Sequence, residues 1–68
     1  MPNPTAEFVE QLAVILEAEG MPRVAGRLFA LLMVSAEPQS LDDLAEQLDV
    51  SKASVSINAR FLEDRSKI

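Results

Sequence analysis

Two short apolar stripes in the second half of the chain, separated by only three residues, constrain its fold more than any other feature. The first stripe follows helical spacing through SLDDLAEQL at 40–48 and consists of Leu41, Leu44, Ala45 and Leu48. The second consists of Val55, Ala59 and Leu62, within residues 52–64. The intervening residues 49–51 allow a sharp turn and little else. Two short helices joined by about 3–4 residues form a helix-turn-helix. We expect this unit to be held together by five side chains: Leu44, Leu48, Val55, Ala59 and Leu62.

Polar residues at the ends of these two stripes predict where each helix begins and ends. Ser40 is expected to cap a helix over about 41–48, as part of a capping box with the acid three residues on. Asp49 takes the turn position where glycine is commonest, because aspartate tolerates a left-handed backbone better than most residues. Ser51 is expected to cap a last helix over about 52–64.

The first part of the chain predicts a helix over about 4–19, capped by Asn3 and ended by Gly20. Apolar residues recur there with the spacing of an amphipathic helix. The face expected to meet the core consists of Phe8, Leu12, Ile15 and Leu16.

A further helix is predicted over about 22–35, and its apolar run at 28–34 covers every face. A helix that is apolar all round is buried on nearly every side. Gly26 inside it costs about 1 kcal/mol relative to alanine, which we attribute to the close approach of another helix backbone. The predicted fold class is therefore all-α, with four helices in one domain over 1–68.

Composition excludes several classes of function. The 68 residues contain no cysteine and no histidine, so disulfides, a zinc site and a histidine-assisted nucleophile are excluded. No nucleophile–base pair or phosphate-binding loop is visible, and we predict no catalytic residue, cofactor or metal. No apolar run approaches the ~18–20 residues of a membrane span. The absence of cysteine is consistent with a cytoplasmic protein.

The chain carries more apolar residues than one small core can bury. Hydrophobic residues make up 49% of it, whereas a domain this small buries only ~60% of its unfolded surface. The surplus predicts a partner surface, most simply a second copy.

Charge is distributed unevenly along the chain. The net charge is −5, but residues 1–50 hold nine acids and two arginines, a balance of −7, while residues 51–68 hold four cations and two acids, a balance of +2. Residues 51–62 contain no acid. The second helix of a helix-turn-helix is the one that enters a DNA groove. The charge pattern therefore favours DNA contact by the helix at 52–64.

Several stretches resemble the MarR superfamily of winged-helix regulators, and most closely its GbsR-like branch. They are GMPRVAGR at 20–27, SLDDLAEQL at 40–48, SKASVS at 51–56 and NARFLE at 58–63. The resemblance implies sequence-specific binding of operator DNA as a homodimer, usually in repression, with a small-molecule effector that the sequence does not identify. In the family a β-hairpin wing follows this region, so we expect a domain truncated before its wing. The alternative is a winged-helix-like module for protein interaction or dimerisation that does not bind DNA.

Three residues at the start of the last helix are candidate phosphate ligands. Lys52 in the first turn opposes the helix dipole by about 0.3–1 kcal/mol, which favours a phosphate or base contact over a solvated lysine. Ser51 and Ser54 can donate hydroxyls to phosphate beside the free N–H groups of the helix start. Capping explains Ser51 equally well, and Ser54 is expected to face outward beside Lys52.

Further along this helix, Ser56 lies four residues from both Lys52 and Arg60, so these three are predicted to share one face. A short polar group between two cations lets the backbone approach DNA and read base edges. An ordinary solvated face is the alternative. Ile57 projects among them and can meet a thymine methyl or pack on a wing, and packing is the favoured interpretation.

Arg23 and Arg27, one helical turn apart, are a second candidate for gripping a phosphate. Such pairs more often make surface contacts with acids, here residues such as Glu19. We favour the surface contacts.

Overall fold

A computed structural model describes residues 4–65 and is all-helical over that range. The predicted cap Asn3 lies outside the described residues. The four predicted helices are confirmed to within one residue at each end, and no strand occurs between residues 4 and 65. The helices are α1 (Pro4–Ala18), α2 (Arg23–Val34), α3 (Leu41–Leu48) and α4 (Lys52–Asp64).

Helix α2 is the centre of the domain, since it contacts each of the other three helices. This position explains its apolar sequence: Leu28 and Ala30 are completely buried, and Leu31 is nearly so. The prediction of burial on nearly every side is confirmed for these residues. It is wrong for Met33 and Val34, which lie in the last turn of α2 and are exposed.

Helix α1 packs against α2 at Gly26, where the sequence analysis predicted the close approach of another helix backbone. A Cβ atom added to Gly26 would lie 3.1 Å from Cα of Ala13 and 3.4 Å from its carbonyl oxygen. Few real Cβ atoms lie so close to a backbone, so α1 and α2 meet where both side chains are minimal. The inferred helix contact at Gly26 is confirmed.

The side of α1 that faces the core differs from the predicted one. Val9 and Ala13 are buried, whereas the expected core residues Phe8 and Ile15 are 38% and 59% exposed. The contact between Ala13 and Gly26 sets the rotation of α1 about its axis and turns Ile15 toward solvent. The other two members of the predicted face, Leu12 and Leu16, are partly buried against the core as expected.

The helix-turn-helix core matches the sequence prediction except at Leu41, the first residue of the α3 stripe, which is 47% exposed. Val55 and Leu62 of α4 are completely buried, in one cluster with Leu44 and Leu48 of α3, and Ala59 packs against the same cluster partly buried. This packing fixes the rotation of α4 about its own axis. It therefore decides which α4 side chains face outward.

The turn between α3 and α4 has the predicted left-handed residue. Asp49 adopts φ 57° and ψ 47°, and its N–H donates to the carbonyls at the end of α3. Ser40 forms the predicted capping box with Asp43, each side chain accepting a hydrogen bond from the other residue's backbone N–H. Ser51 then caps α4 by accepting from the N–H of Ser54 at 3.0 Å.

Candidate nucleic-acid interface

The outward face of α4 consists of Ala53, Ile57 and Arg60, all of which are exposed. It follows from the burial of Val55 and Leu62, because residues advance by about 100° around a helix and these three positions lie opposite the buried pair. Their spacing of four and three residues places them one helical turn apart. A small, an apolar and a cationic side chain thus follow one another along the exposed side of this helix.

Lys52 lies at the edge of this face, in the first turn of α4, with its side chain 66% exposed. Its ammonium group forms an ion pair with the Asp42 carboxylate of α3, which is equally exposed. Exposed pairs of this kind contribute at most about 1 kcal/mol, since water screens them. Lys52 is therefore able to exchange this carboxylate for another anion. The contact with Asp42 was not predicted from the sequence.

The serines at the start of α4 occupy two different environments. Ser51 is exposed, and because its oxygen accepts the capping bond its hydroxyl hydrogen stays available as a donor. Ser54 is half-buried and does not face outward beside Lys52 as expected, since two residues turn it some 160° away from that lysine. The side-chain amide of Asn58 donates to the Ser54 carbonyl at 2.7 Å and lies 3.4 Å from its hydroxyl.

Ser56 and Arg60 lie on the side of α4 that carries Lys52, as their spacing predicted. Ser56 is half-buried, whereas Arg60 is exposed and makes no ion pair with any residue from 4 to 65. Its guanidinium thus retains all of its donors for a partner outside the described fold.

The two arginines of α2 are held by acids of α1. Nε of Arg27 lies 2.6 Å from the Glu10 carboxylate, and a guanidinium nitrogen of Arg23 lies 3.2 Å from Glu17. These pairs join α1 to α2 on the surface, as the ion-pair interpretation expected, although the acids involved are not the suggested Glu19. Neither arginine contributes to the outward face of α4.

Residues 4–65 offer neither a metal-binding cluster nor a membrane-spanning helix. No group of three or more acidic side chains there is arranged to hold a metal ion. None of the helices in this part is long and apolar enough to cross a membrane.

Fold and surface together define a helix-turn-helix domain, and comparisons with curated proteins agree. The chain is 44% identical over 57 residues to HTH-type transcriptional regulator MmpR5 of Mycobacterium tuberculosis (strain ATCC 25618 / H37Rv). The aligned residues cover 82% of this chain and 34% of that protein. It is also 32% identical over 57 residues to YvaV of Bacillus subtilis (strain 168), which is likewise named an HTH-type transcriptional regulator. Here the aligned residues cover 84% of this chain and 32% of that protein. The domain is therefore of the type found in helix-turn-helix transcriptional regulators.

The chain spans about one third of the length of both relatives. No family model matches it. No solved structure gives a significant match.

Proposed function

We propose that this chain is the DNA-binding domain of a cytoplasmic transcriptional regulator, a repressor of the MarR superfamily and its GbsR-like branch, which places α4 in the major groove. The observation that carries the proposal is the surface of α4 between Ser51 and Leu62. That stretch contains no acid in a chain of net charge −5, and exposes two cations, Arg60 on the outward face and Lys52 in the first turn. The names of the two relatives support the same class of function.

Each α4 residue has a distinct role in this proposal. Arg60 donates in a bidentate manner to a guanine edge, the commonest specific contact in the major groove. Lys52 leaves Asp42 for a phosphate, and the hydroxyl of Ser51 donates to the same backbone beside the unpaired N–H groups of the first turn.

The remaining two predicted ligands are assigned with regard to their burial. Ser56, half-buried between Lys52 and Arg60, contributes a short polar surface that allows the helix backbone to approach the bases closely. Ser54 is proposed as a phosphate ligand from the flank of α4, because its oxygen accepts from Asn58 and its hydroxyl hydrogen stays available as a donor.

We further propose that the domain acts as a homodimer. Phe8, Val14 and Ile15 of α1, together with Met33 and Val34 of α2, leave large apolar side chains in solvent. Burying such side chains against a second copy gains up to ~1.5–3 kcal/mol each. A two-fold dimer would also present two α4 helices to two half-sites.

In a form of the protein that includes any natural wing, Arg60→Ala is expected to weaken selective DNA binding by about 1–3 kcal/mol and to relax the preference at one base position. Lys52→Ala should weaken binding to all sequences alike and reduce the salt slope by about one. Fluorescence anisotropy with labelled duplexes over a salt series measures both effects. Low salt is the starting condition, because the negative chain is expected to bind in the ~10⁻⁴–10⁻⁶ M range typical of non-specific contacts.

The matched control for these variants is Arg23→Ala, which removes the same kind of cation from α2. Since Arg23 is paired with acids of α1, its removal should leave base preference unchanged. If Arg60→Ala and Lys52→Ala both bind every duplex as the parent does, α4 is not the DNA-binding element.

Self-association is expected to depend on Ile15. Ile15→Ser should raise the dimer dissociation constant by at least roughly tenfold, because a symmetric interface loses the side chain twice. Sedimentation across a wide concentration range measures this, with Ile57→Ser as the control, since Ile57 is equally apolar and exposed but lies on α4. A folded monomer at high concentration, in the unmodified chain, would rule the dimer out.

A protein-interaction module without DNA binding is the second candidate, and the ion pairs favour it. Arg23, Arg27 and Lys52 are each neutralised by an acid of a neighbouring helix. A surface whose cations are already paired attracts a phosphate backbone weakly. The Arg60 and Lys52 variants separate the two functions. If the domain is an interaction module, neither substitution should change its affinity for DNA.

A further inference from the structure

Ile57 is the most exposed of the large apolar side chains among residues 4–65, at 68%. It lies on the outward face of α4, about 160° around the helix from Val55 and about 140° from Leu62. None of the helices α1 to α3 can therefore cover it without unpacking the core. The described helices therefore leave the Ile57 side chain open to whatever α4 meets.

The neighbours of Ile57 indicate what kind of surface that is. Ala53, one turn before it, is small enough to allow a partner to approach the helix closely, and Arg60 follows one turn after it. Arg60 is unpaired within the described residues, and α4 has no acid before Glu63. An apolar side chain beside a cation suits a polyanion that carries apolar groups.

In the major groove of DNA, the C5-methyl group of thymine is the apolar feature of the base edges. We propose that Ile57, with Ala53 beside it, contacts a thymine methyl and is a specificity-determining residue of the domain. The inference rests on the proposed DNA binding by α4, and replaces the sequence-based preference for packing on a wing.

The spacing along α4 also places the thymine relative to the guanine assigned to Arg60. Three residues rise about 4.5 Å along a helix, whereas successive base pairs are about 3.4 Å apart. The thymine read by Ile57 should therefore lie within about two base pairs of that guanine.

The test uses deoxyuridine, which differs from thymidine only by lacking the methyl group. Duplexes that the protein selects from random-sequence DNA, in a form that includes any natural wing, are resynthesised with each thymine replaced in turn. At one thymine in each half-site, the replacement should weaken binding by about fourfold, which corresponds to the free energy of burying one methyl group. This thymine should lie near the position at which Arg60→Ala relaxes the preference for guanine.

Ile57→Ala completes a double-mutant cycle with this replacement. The variant should bind the thymine duplex at least about fourfold more weakly than the parent does. It should also bind the thymine and deoxyuridine duplexes with equal affinity, so that the ratio of the two affinities falls to one. Ile15→Ala makes the same change at an exposed site on α1, and should keep the parent's ratio whatever it does to overall affinity. Circular dichroism of both variants should match that of the parent, since neither residue is buried.

Two results would overturn the inference, and they differ in what else they overturn. If Arg60→Ala and Lys52→Ala impair binding but no deoxyuridine does, or if Ile57→Ala keeps the parent's ratio, Ile57 does not read a methyl group and the DNA-binding proposal stands. If neither basic variant changes the binding of any duplex, both proposals fail together.

Discussion

Gly26→Val is expected to destabilise the domain by about 3 kcal/mol or more, at the upper end of overpacking effects. The Cβ atom alone would lie 3.1 Å from Cα of Ala13. This is a backbone atom, which cannot move aside as the end of a flexible side chain can. Valine adds two more carbons, and its nearly fixed χ1 in a helix prevents them from turning away. Denaturant unfolding followed by circular dichroism measures the change.

A graded series separates this clash from helix propensity. Gly26→Ala should cost less, because the overpacking of one methyl group, about 1–3 kcal/mol, is offset by about 1 kcal/mol of helix propensity. Ala53→Val places a valine on an exposed helical site and measures the penalty of β-branching alone. Unfolding midpoints that follow helix propensity alone would mean that α1 does not lie against Gly26.

Leu62→Ala is expected to cost about 2–5 kcal/mol, because Leu62 is completely buried where α4 meets the core. The total stability of a domain of this length is about 3–10 kcal/mol, so the variant should lose a large fraction of its stability and unfold at a clearly lower denaturant concentration. Ile57→Ala removes a side chain of the same size from the same helix. Because Ile57 lies in solvent, that control should change stability by less than about 0.5 kcal/mol.

Equal destabilisation by the two α4 variants would contradict the orientation of the helix. It would mean that both sides of α4 are covered, and that the outward face of Ala53, Ile57 and Arg60 is not open to a partner. The comparison thus tests the geometry on which the DNA-binding proposal depends, without using DNA.

The helix boundaries and the turn could be predicted because their causes are local. Ser40 and Ser51 accept hydrogen bonds from N–H groups three residues away, and Asp49 adopts its left-handed conformation within a three-residue turn. Such interactions are contained in a short stretch of chain. The buried stripe of the helix-turn-helix could be predicted for a similar reason, since α3 and α4 follow each other directly and have one apolar face each.

The rotation of α1 could not be predicted, because its apolar residues cover more than one face. Phe8 and Ile15 satisfy the same helical spacing as Val9 and Ala13, and hydrophobicity favours the larger pair. The deciding factor was the fit between Ala13 and Gly26, which are 13 residues apart in the chain. A periodic pattern contains no information about such a contact between distant residues.

The candidate site shows the same division. Sequence alone located α4, its caps, its acid-free stretch and the shared side of Lys52 and Arg60, all of which follow from order along one helix. Only the tertiary structure brought Asp42 to Lys52 and left Arg60 unpaired among the described residues. These depend on how separate helices pack, because close packing, unlike helical periodicity, is decided by the shapes of residues that are distant in the chain.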